Sequence, residues 1–208
     1  MTELELQVIS NAVKIMNERG ENIIDYLEGM DNIKVSEIQA ILAPLGIDYH
    51  ISIEDALDEK IAEFSDECKQ MIELGVDIEI DGEMKHFSYG LESGDQSNID
   101  DIFNLAAQSK MPQPYHADGE ECTLFYPKDI FAIYAAQKMN KTAQITYFNL
   151  IKAQLRETYY SDKDVDTVKE MTYGLVPLTG TYKETYDSII EQAQAITDSI
   201  IKRYIKEV

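Results

Sequence analysis

The stretch GVDIEIDGEMKHFS, residues 75–88, leaves the chain little conformational choice. Val76, Ile78 and Ile80 alternate with Asp77 and Glu79, which puts apolar and acidic side chains on opposite faces of an extended strand. Asp81-Gly82 follows, a pair suited to the two-residue turn with positive φ that reverses a β-ribbon, and Met84 to Ser88 returns as the second strand. The letters D-G-E come back at 118–120, 37 residues after 81–83, inside QPYHADGEECTLFY. Asp118-Gly119 is expected at the tip of a second hairpin, with Cys122 to Tyr126 as its return strand. Each hairpin precedes a helical segment, so a repeated hairpin–helix unit is expected over 52–140, its four strands in one antiparallel sheet covered by helices on one face.

Helical periodicity surrounds this unit. Leu6, Ile9, Val13 and Met16 predict a helix over 3–18, and ENIIDYLEG a short one ending at Gly29. Ser36 with Gln39 has the capping-box spacing ahead of IQAIL, which Pro44 and Gly46 stop. Ile53, Leu57, Ile61, Phe64, Cys68 and Met71 recur at intervals of four, four, three, four and three, with acids between them, which predicts an amphipathic helix ended by Gly75. Further helices are expected at 99–110, after Pro127 (as one helix or as two broken near Asn140), and between Asp164 and Tyr173. In the last segment Tyr182, Tyr186, Ile189, Ala193, Ile196 and Ile200 follow the three-four alternation of a coiled-coil seam. With Tyr204 beyond them they are the candidate interface residues; packing on the chain's own domain is the competing reading. The expected class is α+β: a small antiparallel sheet from two β-hairpins packed on helices, with helical N- and C-terminal regions. The expected division is a helical region over 1–50, an α+β domain over 51–140 and a helical, oligomerising region over 141–208.

Charge narrows the function. Residues 1–50 carry nine acids against three bases, 51–126 nineteen against four, and 127–208 eleven against eleven. Such a surface repels phosphate backbones, which argues against nucleic-acid binding. No apolar run is long enough to cross a bilayer and the N-terminus is acidic where an export signal is basic, so folding in a cytoplasm is expected. Cys68 and Cys122 are too few and too far apart for a disulfide framework, and are expected to be buried thiols. Ten of the thirteen tyrosines lie from Tyr115 onward, a composition that suits an interface as well as a core.

YHADGEEC, 115–122, holds the densest set of chemical side chains. His116 and Cys122 flank the expected tip and are the candidate metal ligands, since residues beside a tight turn face one another across the ribbon. A structural zinc takes four ligands, however, and the remaining candidates are turn carboxylates whose presence the turn already explains. His50, His86 and His116 lack an adjacent nucleophile motif, and no phosphate loop or H-E-x-x-H pattern occurs. The sequence therefore predicts a buried, hydrogen-bonded His116 or His86, no metal, no cofactor and no enzymatic activity.

The order of four motifs resembles a known group. Gly75 to Ser88 (GVDIEIDGxxxHFS), Asp95 to Ile99, Pro114 to Cys122 (PYHADGExC) and Thr146 to Lys152 (TYFNxxK) are similar to proteins of the tail modules of bacteriophages and prophages of Gram-positive bacteria, which share a domain of unknown function found in tail and baseplate components. The likeness covers roughly residues 53–160. It implies a structural part of a phage tail, at the baseplate or a tail-fibre attachment, made in the host cytoplasm. It also implies several copies per virion and other tail or baseplate proteins as partners. The alternatives are a non-virion assembly chaperone, a receptor-binding module and a metal-dependent enzyme.

Overall fold

The computed structural model describes residues 2–30, 33, 35–49, 52–158 and 165–205. It divides into two compact units, residues 1–61 with 159–171, and residues 62–158 with 172–208. These units differ from the division expected at 50 and 140: one long helix runs through 140, and the chain returns to the first unit after leaving it.

The first unit holds α1 (Glu3–Glu18), α2 (Ile23–Glu28), α3 (Val35–Leu42), a 3₁₀ turn (Ala43–Leu45), residues 53–61 of α4 (Ile53–Leu74) and α7 (Val165–Lys169). α1 starts where Thr2 and Glu5 cap each other: the Glu5 amide donates to Thr2 Oγ1 at 3.3 Å and the Thr2 amide to the Glu5 carboxylate at 2.8 Å. Val13, Leu27 and Leu42 are fully buried together, which is the helical stripe expected from spacing. The capping role foreseen for Ser36 does not occur, since α3 already includes it, and Gln39 instead donates to the Tyr49 carbonyl at 3.2 Å. His50 and Asp164 lie outside the described residues.

The second unit contains the rest of α4, β1 (Val76–Ile80), β2 (Glu83–Phe87), α5 (Asp95–Ser109), β3 (Gln113–Tyr115), β4 (Thr123–Phe125), α6 (Pro127–Thr158) and α8 (Gly180–Ile205). The α+β class with helical ends holds. The single four-stranded sheet does not: among the described residues β1 pairs only with β2 and β3 only with β4, both antiparallel. Side chains join the two ribbons instead. Phe87 stacks on Tyr115 and meets Phe125 edge-on, each at 6.0 Å between centroids, and all three are buried. Three-residue β3 has Pro114 at its centre, which lacks the N–H a further ladder would need.

α6 is unbroken at Asn140, and its amide side chains tie neighbouring segments to it. Asn140 donates to the carbonyls of Met71 at 3.1 Å and Gly75 at 3.4 Å, satisfying the open end of α4. Fully buried Gln137 donates to the Ser88 carbonyl at 3.1 Å, and Gln154 holds the 177–179 turn through Pro177 and Thr179. α6 is thus a central post wrapped by α5, β1 and α8. No helix among the described residues is long and apolar enough to cross a membrane.

Candidate functional site

The first ribbon forms as the sequence dictates. Asp81 and Gly82 both take positive φ, +53° and +86°, and the register that follows sets Asp77 opposite His86. Their side chains meet, with His86 Nδ1 2.7 Å from Asp77 Oδ1. The second D-G-E does something different. β3 and β4 stop pairing at Tyr115 and Thr123, so 116–122 form a wide loop whose turn is closed by the Glu120 amide donating to the Ala117 carbonyl at 3.1 Å. Gly119 has φ +75° while Asp118 keeps negative φ, which matches a turn of type II rather than a tight hairpin tip.

That loop docks on β2. The Asp118 amide donates to the His86 carbonyl at 2.9 Å, and its carboxylate accepts from the Ser88 amide at 3.2 Å and from the Ser88 hydroxyl. One residue pair along, Lys85 Nζ lies 2.6 Å from Glu120. The hydrogen bond to Glu120 raises the Lys85 pKa above the usual lysine range. Beneath the loop, burial, aided by the negative charges of Asp95 and Asp118, pushes the Tyr115 phenol up to about 12. His86 Nε2 completes the cluster at 3.9 Å from Asp118.

Ser88, His86 and two aspartates within one cluster invite a catalytic reading, and the bonding directs it elsewhere. An activated serine gives its hydroxyl to an imidazole nitrogen; Ser88 gives its own to Asp118, and His86 sits between two carboxylates. The arrangement is an electrostatic clasp that fixes the loop to the first ribbon.

The foreseen metal ligands are both exposed. His116 Nδ1 lies 3.2 Å from the Ala117 carbonyl and its ring stacks on Tyr115, while Cys122 is a free, exposed thiol; only Cys68 is buried as expected. Among the described residues no three His, Cys, Asp or Glu side chains converge to hold a metal ion. The expectation of a buried His116 is therefore corrected: it lies past the end of β3, where the chain turns outward, and the neighbouring Ala117 takes the inward position.

The predicted seam on α8 divides in two. Tyr182, Tyr186 and Ala193 are half-buried on the side facing α6, and the Tyr182 hydroxyl bonds the Glu157 carboxylate. Ile190, Thr197 and Ile201 complete that inner stripe. Ile189, Ile196 and Ile200 stay in water, 38%, 60% and 37% exposed. The side chain of Tyr204 lies outside the described residues. Thr185, Gln192 and Ser199 share the exposed face with the three isoleucines, so that face carries no charge until Arg203.

The Asp77–His86 pairing was within reach of the sequence, because a two-residue turn at 81–82 fixes every partner across it. The Asp118–Ser88 bond had no such signal, since 30 residues separate its partners. Compared with family models, with curated proteins and with solved structures, the chain has no significant match.

Proposed function

We propose that this chain is a structural component of a bacteriophage tail, at the baseplate or at a tail-fibre attachment, and that it acts through protein–protein contacts. The observation that carries the assembly half of this reading is the uncharged α8 face with Ile189, Ile196 and Ile200 in water. On a chain of net charge −21, about four turns of helix from Thr185 to Ile200 without an exposed acid on one side form a surface where another like-charged copy can approach. The tail half rests on the resemblance of Gly75 to Ser88, Asp95 to Ile99, Pro114 to Cys122 and Thr146 to Lys152 to tail-module proteins. Mass spectrometry of purified particles from the encoding phage tests it. The chain is expected there in multiple copies; its presence in infected cells but absence from finished particles would make it an assembly chaperone and overturn the proposal.

A further inference from the structure

We propose that a groove between α4 and α6 in the second unit receives an acidic peptide segment of another protein, anchored by one apolar side chain. This inference is independent of the tail reading, because it concerns a different surface and its test needs only the purified chain. The groove has a volume of about 280 Å³ and an apolar floor that includes Cys68, Ile72 and Phe148, with Leu91 at its mouth 65% exposed. That volume falls at the lower edge of the roughly 300–1,000 Å³ of small-molecule pockets, and suits a side chain better than a cofactor.

Its rim sets the partner's charge. Lys69 and Lys141 line the groove, and the Lys152 ammonium lies 6.0 Å from the centre of the Phe148 ring. Elsewhere Lys85, Lys128, Lys138 and Lys183 each lie against a carboxylate. Among the described residues Lys69, Lys141 and Lys152 meet none within 4.0 Å, although acids outnumber bases 39 to 18. Lys141 rests instead on a neutral acceptor, Gln96 Oε1, at 2.7 Å. Three ammonium groups without acid partners around one apolar floor, on a chain this acidic, are complementary to carboxylates that another molecule brings. Glu73 is the one carboxylate lining the groove, and it repels a partner that binds without cationic help.

Spacing gives the partner a pattern. Lys141, Phe148 and Lys152 lie on one face of α6, and the two lysines stand roughly 16 Å apart along the axis at 1.5 Å per residue. An extended segment spans that distance in about five residues, which places an acid on each side of a central apolar anchor.

The test is selection from a displayed library of random short peptides on the folded full chain at low ionic strength. Peptides with acids flanking a Leu, Met or Phe are expected. By fluorescence anisotropy they should bind the Lys69→Glu/Lys141→Glu/Lys152→Glu variant about tenfold or more weakly. A Leu91→Asp variant, changed at an exposed position, should lose the same peptides with an unaltered melting temperature. Decanoate, an apolar tail with one carboxylate, serves as the small-molecule competitor. No enrichment, enrichment of peptides without acids, equal binding by the charge-reversed variant, or displacement by decanoate at the peptide's own affinity would each overturn the proposal.

Discussion

Replacing Asp118 with alanine should release the 116–122 loop from β2. The carboxylate accepts two hydrogen bonds from Ser88, and bonds to a charged partner are worth about 1.5–3 kcal/mol each when shielded from water. Asp118 is 40% exposed, so water replaces part of what is lost, and the net loss should be about 2 kcal/mol. For a chain of this size that lowers the melting temperature by about 4–8 °C. Ser88→Ala removes the hydroxyl and leaves the amide bond, and should cost about 1 kcal/mol. The two changes share a bond, so the double variant should fall short of their sum by about 1 kcal/mol. Calorimetry gives the cycle, and amide exchange gives the location: the Ser88 amide should lose protection in Asp118→Ala and keep it in Ser88→Ala. Strict additivity, or an unchanged Ser88 amide in Asp118→Ala, would refute the clasp.

Three further outcomes follow from the same geometry. Gly75→Ala places a Cβ 1.9 Å from the Phe87 carbonyl oxygen at φ +83°, so its loss should exceed the about 1–3 kcal/mol of left-handed strain that Gly82→Ala incurs in open space; equal melting temperatures for the two would be inconsistent with this packing. Ile189→Asp with Ile196→Asp should lower the mass seen by light scattering while stability changes by no more than about 0.5 kcal/mol, whereas unfolding would mean that these side chains pack within the chain. Burial raises the Asp129 pKa above 3.8, so the folded chain holds that proton more tightly than the unfolded one, and wild type carries a cost at neutral pH that disappears as pH falls through the raised value. Asp129→Asn should therefore be the more stable protein near neutrality and lose that advantage in acid; an advantage that grows in acid, read by urea unfolding, would contradict the assignment.

Legibility in this sequence tracks how local the deciding physics is. Asp81-Gly82 closes on its own neighbours, so the letters alone set the register from Ile80↔Glu83 out to Val76↔Phe87. The same letters at 118–119 misled, because β3 and β4 end early and Asp118 bonds a serine 30 residues back rather than taking positive φ. The two ribbons meet only in the assembled fold, through the aromatic trio of Phe87, Tyr115 and Phe125 and the bonds of the 116–122 loop to β2. α8 shows a third case. Steps of four and three residues, at about 100° per residue, swing the stripe forward and back, so Tyr186 and Ala193 fall toward the inner side beside Ile190 while Ile189 and Ile196 fall on its outer shoulder. The pattern announced a helix with an apolar stripe and could not say how much of it α6 would cover.

Salt separates the two docking surfaces. Copies that meet through the uncharged α8 face bring together two bodies of net charge −21, and their repulsion is screened as the Debye length falls from about 10 Å at 0.1 M to about 3 Å at 1 M. Self-association through Ile189, Ile196 and Ile200 should therefore strengthen with added salt, as burial of apolar area is unaffected by screening. Docking of an acidic segment between Lys69, Lys141 and Lys152 relies on opposite charges at an exposed rim, and should weaken over the same range. Sedimentation velocity for the first and anisotropy for the second read the two slopes on one protein. Slopes of the same sign would mean that one surface has been misassigned, and the variant whose slope vanishes, Ile189→Asp/Ile196→Asp or the lysine reversal, would show which.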